Sequence, residues 1–451
     1  MENPLTQKVS TAPTKPSSKR AAFNLPRQPL FWAVSVGHMT NDFFMSMGPV
    51  LLVFLGTAIL PMSVAQIGLA VGARDILGAV SQPLFGWLSD RTGDRWLGAG
   101  GVAWVVTWLM VSMALALTGR FWLMVVPFAL SALGSGAFHP VGSMYAAGTD
   151  PARQASSIAY FFLFGQTGLA IGPALAGLLL DSASAPRIAV GGVPNPLTPI
   201  FLLSAIAIPG VLSMTATIPQ RRGRAALAVS PATTEDTPGD PGAGLARVAV
   251  GSLLMMGTVV VLRSMVHSSS SSFVPALFQL KGWDPAQYGL ITSAYWISSA
   301  LAGVFFGQLA DRYGIRAIIV VSLLLAAPPL FFLPLSDGLW AVILTSVTGG
   351  LVGGTFSIFV VLAQQMIPAG KGFASGAILG FTFVSAALGS LLAGLLADGT
   401  ASLFGRTAGT GGGIGLEATY QVMAAVMLLA GLLALALPRR LYATTSTPEA
   451  R

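Results

Sequence analysis

The sequence predicts an all-α integral membrane protein, with twelve transmembrane helices in two pseudo-symmetric six-helix bundles. Three observations predict it. Only 9% of residues are Asp, Glu, Lys or Arg and 54% are apolar, whereas a soluble domain carries about a quarter charged residues. The decapeptide Gly86-Trp87-Leu88-Ser89-Asp90-Arg91-Thr92-Gly93-Asp94-Arg95 returns 221 positions later as Gly307-Gln308-Leu309-Ala310-Asp311-Arg312-Tyr313-Gly314-Ile315-Arg316, each copy closing an apolar segment. A second repeat relates Pro151 to Asp181 and Pro368 to Asp398 at an offset of 217. Units this long are not solenoid repeats, and duplicated helix bundles are a common plan for proteins that move solutes between their halves.

A helix needs about 20 apolar residues to cross a hydrocarbon core of about 30 Å. Residues 1–29 form a polar tail rich in Ser, Thr, Pro and Lys, without the apolar stretch of a cleavable signal. The first six spans are expected at 30–59, 66–89, 96–118, 121–147, 153–180 and 198–218. Residues 219–247 carry Arg221, Arg222 and Arg224, a Pro/Thr/Gly stretch and Glu235, Asp236 and Asp240, which reads as a linker between bundles. The second six spans are expected at 248–279, 286–310, 316–336, 338–366, 372–397 and 416–437, followed by a tail at 438–451. The Gly-rich stretch 407–415 reads as a loop outside the bilayer.

Orientation follows from lysine and arginine. With both termini in the cytoplasm, eighteen basic residues lie on the inner side and four, Arg120, Arg187, Lys281 and Arg406, on the outer. The net charge of +8 is therefore a topology signal of an inner-membrane, multi-pass protein and not a nucleic-acid footprint. The absence of cysteine excludes disulfides, iron–sulfur clusters and thiol catalysis.

The repeated loops fall on the expected cytoplasmic side. Gly86, Gly93, Gly307 and Gly314 allow tight turns and close helix approach. Asp90, Arg91, Asp311 and Arg312 can pair with charges or cap neighbouring helix termini, latching an inner gate. With these loops, the chain resembles the major facilitator superfamily over all twelve spans. In span five, Gly168, Gly172, Pro173 and Gly177 resemble the motif of proton-driven antiporters of that superfamily, where a bent helix packs on its neighbour. A narrower resemblance comes from His38-Met39-Thr40-Asn41-Asp42 and Phe138-His139-Pro140, which look like the motifs of the fosmidomycin-resistance family of efflux transporters. Val141 and Met144 depart from it, standing where that family carries a glutamate and a basic residue. The resemblance implies a small-molecule solute as partner, coupled to protons, with no cofactor and action as a monomer.

Four charged side chains fall well inside spans: Asp42, Arg74, Asp75 and Arg263. Each costs about 2.5–3.5 kcal/mol at mid-bilayer unless paired or hydrated. Depth counting puts Asp42 and Arg74 at one level, about 12 Å below the outer face. Asp42 is thus expected to be either a proton-coupling carboxylate released from Arg74 by protonation, or a structural ion pair. Asp75 lies about 100° around its helix from Arg74. His38 shares a helix face with Asp42, as Arg263 does with His267. His139 is the third histidine, and the sequence shows no close cluster of metal ligands, so no metal is expected.

Ser268 to Ser272 is the most polar stretch within any span, so Ser268 and Ser271 are expected at a central cavity. Asn41, Tyr160, Gln166, Gln279, Tyr295, Trp296, Gln364 and Gln365 join them as candidate lining residues. Three functions compete on this reading. The first is a proton-coupled exporter of a small organic or drug-like compound. The second is a symporter importing an anionic metabolite, with Arg74 and Arg263 as its carboxylate clamp. The third is an integral membrane enzyme, for which no phosphate loop, metal-ligand spacing or activated nucleophile is found.

Overall fold

A computed structural model describes residues 26–92, 95–150, 153–181, 189–190, 193–219, 250–356, 358–359, 362, 371–404 and 412–438. The first half comprises α1 (Pro29–Ser46), α2 (Gly48–Ala58), α3 (Val64–Thr92), α4 (Arg95–Ala116), α5 (Phe121–Gly148), α6 (Gln154–Leu180), α7 (Thr198–Leu203) and α8 (Ala207–Thr217). The second comprises α9 (Val250–Leu280), α10 (Pro285–Tyr313), α11 (Ile315–Phe332), α12 (Gly338–Thr348), α13 (Lys371–Asp398) and α14 (Leu416–Ala436). Among the described residues, ten helical segments are long and apolar enough to cross a membrane. The seventh position is held by α9, and the tenth by the shorter apolar segment Gly338–Gly353.

In the first half, two expected single helices are interrupted. The first span breaks at Met47, because Pro49 in the first turn of α2 has no N–H to donate. The sixth is split by a 3₁₀ turn at Ser204–Ile206 between α7 and α8. A two-residue antiparallel pairing, Ala189–Val190 with Val193–Pro194, is the one strand pairing among the described residues. The expected linker lies outside the described residues from 220 onward, and both tails lie almost wholly outside them. The glycine-rich loop is described only from Gly412, where Ile414 and Gly415 donate back to Leu396 and Ala397 carbonyls at the end of α13.

The two halves meet through the repeated helices. Within the first half α3 lies against α5, and α6 against α1; across the halves α3 packs on α13 and α10 on α6. Gly68 on α3 meets Gly394 and the Ser390 carbonyl on α13 so closely that an added Cβ would collide with backbone. Its repeat equivalent, Gly289 on α10, meets Gly177 and the Pro173 carbonyl on α6 in the same way. Gly177 and Gly394 are themselves equivalent at the 217 offset. The duplication therefore builds one contact twice, and small residues are what allow backbones to approach so closely without a hydrophobic drive between helices in lipid.

Polar groups finish this seam. The Asp398 carboxylate, at the end of α13, accepts from the backbone N–H groups of Val64 and Ala65 and so caps α3 across the halves. Ser63 donates to the Ser402 carbonyl at 3.1 Å, and Ala174 N–H, just past Pro173, donates to Ser293 Oγ at 2.8 Å.

The opposite end is open. Gly307 lies 18 residues, five turns or about 27 Å, along the same face of α10 as Gly289, yet among the described residues nothing stands within 4 Å of a Cβ built on it. The same is true of Gly303 and of Gly380 on α13. Among the described residues, the halves thus close at the end remote from the repeated loops and make no such glycine contact at the end that carries them. Since the chain has no cysteine, Ser63→Cys with Ser402→Cys joined by a short thiol cross-linker reports the closed end directly. Adding Gly68→Leu should abolish most of that cross-linking, by wedging a side chain against backbone. Adding Asp398→Ala should remove a cap worth about 0.5–2 kcal/mol, lowering the closed-to-open ratio roughly 2- to 30-fold.

Candidate functional site

The first half gathers its polar groups around one carboxylate. His38 and Asp42 are one turn apart on α1, and His38 Nε2 lies 3.2 Å from Asp42 Oδ2. From α5, His139 Nε2 approaches Asp42 Oδ1 at 3.6 Å. Asn41 Nδ2 donates to the same Oδ1 at 2.9 Å and to Ser135 Oγ at 3.1 Å. Each imidazole is fixed from behind by a backbone carbonyl, His38 Nδ1 by Phe161 at 2.8 Å and His139 Nδ1 by Ser135 at 2.8 Å. Phe161 also stacks on the His38 ring with centroids 4.1 Å apart. Gly165 on α6 leaves the room: a Cβ there would strike the His38 ring and Asp42 Oδ2. The sequence reading found no such cluster because α5 delivers His139 from 101 positions away along the chain.

The expected pairing of Asp42 with Arg74 is not formed. Counting residues fixes depth in the membrane but not direction around the helix. Arg74 turns toward the break between α1 and α2, with its guanidinium carbon 4.8 Å over the Phe128 ring and Nη1 against Gly48. Its Nε and Nη1 are buried without an acceptor. Asp75, one position on, faces the other half, where Ser268 Oγ donates to its Oδ2 at 3.4 Å. Ser268 in turn bonds Ser390 of α13 at 2.8 Å. Asp75 is three residues beyond Gly72, whose added Cβ would meet the Ala387 carbonyl at 2.9 Å. The carboxylate therefore sits where the seam ends and the cleft begins.

In the second half, a five-residue π turn at Gly349–Gly353 follows α12. Arg263 holds it. Its Nε and Nη2 donate to the Val352 carbonyl at 3.0 and 2.6 Å, Nη2 also to the Gly353 carbonyl at 3.0 Å and Nε to Thr355 Oγ1 at 3.1 Å. Two of its three nitrogens are committed to protein acceptors, so the expected carboxylate clamp has at most one left. His267 Nδ1 is 2.9 Å from the Tyr295 hydroxyl, and Trp296 stands edge-on to His267 at 5.6 Å. Arg263 and His267 thus share a neighbourhood, as their spacing predicted, but Arg263 serves the fold of the π turn.

The serine run departs from expectation. Ser268 to Ser272 are all buried, and Ser271 donates to its own helix at the Ser268 carbonyl. Ser269 donates to Met265, while Tyr420 of α14 donates to the Ser270 carbonyl. The run packs α9 against α13 and α14, because hydroxyls that find backbone acceptors can be sealed between helices without water. Ser271 is therefore a packing residue, and Ser268 belongs with Asp75. Tyr160, Gln166 and Gln279 are half-buried on α6 and α9, and Gln364 and Gln365 lie outside the described residues.

At the repeated loops, Gly314 takes φ 87° and ends α10, as a turn glycine should. Asp311 and Arg312 are exposed, and among the described residues neither forms an ion pair. Gly93 and the side chains of Asp90 and Arg91 lie outside the described residues. The capping role falls to a residue that was overlooked: Arg95 Nε donates to the Ile218 carbonyl at the end of α8, at 2.8 Å. Its equivalent Arg316 donates to Leu435 at the end of α14, at 2.7 Å. Their position as the last residue of each decapeptide was the available signal. In α6, Gly168 and Gly172 pack on the α1 backbone at Met39 and Phe43, while Gly177 turns to the other half.

Comparison with known proteins agrees with this architecture. The chain is 25% identical over 433 residues to the fosmidomycin resistance protein of Escherichia coli K12, covering 96% of this chain and 97% of that one. A bacterial homologue of the human lysosomal transporter Spinster, in an inward-facing and occupied conformation, superposes with a TM-score of 0.70 at 14% identity, over 94% of this chain and all of that one. A D-xylose–proton symporter gives 0.67 at 13% identity, over 91% and 97%. Residues 30–239 and 254–451 match the sequence model of the Major Facilitator Superfamily, so this multi-pass membrane protein belongs to that superfamily of transporters and is not an enzyme.

Proposed function

We propose that this protein is a proton-coupled exporter of a small organic or drug-like solute, working by alternating access in the inner membrane with both termini in the cytoplasm. The observation that carries the reading is the position of Asp75 at the inner end of the intersubdomain seam, bonded to Ser268 of the opposite half. Of the two carboxylates expected inside the spans, Asp42 has its partners within its own half. Asp75 is the one whose surroundings must change when the halves rock.

The coupling follows from desolvation. A charged carboxylate resists being closed into a dry helix interface, at a cost of a few kcal/mol. A protonated one is neutral and can donate to the Ser268–Ser390 pair. Protonation from an acidic exterior therefore favours closure of the seam over Asp75, which opens the cleft on the side of the repeated loops. Release of that proton to the cytoplasm recharges the group and favours reopening outward, carrying solute with it. Placing the loop-bearing end in the cytoplasm rests on the excess of lysine and arginine there.

Export is supported by the similarity to a protein named for resistance to fosmidomycin. The solute differs in chemistry from that drug on this reading. Val141 is fully buried in an apolar cluster and Met144 packs beside it, so neither supplies the charge carried at those positions in the related family. His139, His267 and Trp296, all half-buried, remain the groups for solute contact.

Two measurements test this. A candidate solute is first found by a melting-temperature screen, since a bound ligand stabilises the fold. In proteoliposomes that solute should leave the compartment facing the repeated loops only when the opposite side is acidic; accumulation in that compartment instead would favour import. Asp75→Asn should abolish the response to the pH gradient while keeping solute counterflow, and a variant that still follows the gradient removes Asp75 from the coupling. A reporter fused after residue 230 should be cytoplasmic.

A further inference from the structure

We infer that His38, Asp42 and His139 form a binding site for a divalent transition-metal ion of the Zn²⁺ class, within the first half and independent of the role given to Asp75. Each residue offers one ligand atom, and the three atoms lie within 4.8 Å of one another. Tetrahedral coordination with bonds of about 2.0–2.1 Å separates neighbouring ligands by about 3.3 Å. The two imidazoles reach the two oxygens of the carboxylate, His38 Nε2 to Oδ2 at 3.2 Å and His139 Nε2 to Oδ1 at 3.6 Å, spacings close to that separation. An ion between the rings would therefore meet Asp42 through either oxygen or both.

The hydrogen bonds behind the ligands give the argument its direction. Backbone carbonyls can only accept, so the 2.8 Å contacts to Phe161 and Ser135 place a proton on Nδ1 of each imidazole. A neutral ring in that tautomer presents the Nε2 lone pair, and both Nε2 atoms face the Asp42 carboxylate. Two lone pairs facing one carboxylate repel it, and a metal cation shared by the three groups relieves that repulsion. Orientation of a ligating histidine by a carbonyl at its far nitrogen, and of a ligating carboxylate by a donor, is the usual support of a metal centre. Here Asn41 supplies that donor at 2.9 Å.

The donor set of two imidazoles and one carboxylate suits Zn²⁺, with a fourth position for water or a solute oxygen. His139 is the most exposed of the three, at 27%, so the fourth position opens on its side. Gly165 keeps the pocket from being filled by a side chain. The site would tie α1 to α5 inside one bundle. No cysteine and only one further histidine, His267, exist in the chain to compete for the ion.

The test uses the full-length protein in detergent with any purification tag removed. Equilibrium dialysis against Zn²⁺ should give one bound ion per chain, and Co²⁺ in its place should give the intense visible bands of a four-coordinate centre. Asp42→Asn and His139→Gln should each weaken Zn²⁺ binding by at least about tenfold, the low end of what loss of even a supporting group costs. His267→Ala should bind as the wild type does. Absence of stoichiometric Zn²⁺ binding in the wild type, or binding that survives loss of His38 and His139 together, overturns the site. If the variants fail to fold in a thermal melt, the wild-type stoichiometry and the Co²⁺ spectrum decide alone.

Discussion

Close approach of glycine to glycine across the halves is the contact on which the rest of this transporter depends. In lipid, apolar side chains gain little by leaving the acyl chains for one another, so helices associate through close packing and hydrogen bonds. Gly68 against Gly394 and Gly289 against Gly177 supply that packing at one end only. At the other end of the same helices, Gly303, Gly307 and Gly380 meet no neighbour among the described residues. A seam closed at one end and open at the other is the geometry that alternating access requires, and here it is made from one duplicated contact.

The second constraint is the cost of charge in a membrane. The protein meets it differently for each group. Arg263 is wrapped by the Val352 and Gly353 carbonyls of a π turn, so its charge is met by backbone acceptors within its own half. Arg74 relies on the face of Phe128 and keeps two nitrogens without acceptors. Asp42 is enclosed by histidines and Asn41 inside one half. Asp75 alone among these has its hydrogen bond across the halves. Each solution ties the charge to a different mechanical unit, and that assignment separates groups that hold a bundle together from the one that senses its motion.

Much of this was legible from residue order. Span positions, the duplication and the halves followed from apolar length and from the repeated decapeptide, because the bilayer forces every spanning segment to satisfy its own backbone. The proximity of His38 to Asp42 followed from helical spacing alone. What could not be read was direction around a helix. Arg74 and Asp42 share a depth but face different neighbours, and the serine run that looked like a cavity lining is a packing seam.

The amino-acid sequence by itself determined the number of spans, their pairing by duplication and the identity of the buried charges, since these depend on local hydropathy and on period. Only the tertiary structure decided which charges meet. His139 joins Asp42 from a different helix, Asp398 caps α3 from the opposite half, and Arg95 and Arg316 close the ends of α8 and α14. Contacts between distant segments depend on helix rotation and packing, which are set by all the neighbours together and leave no period in the chain that carries them.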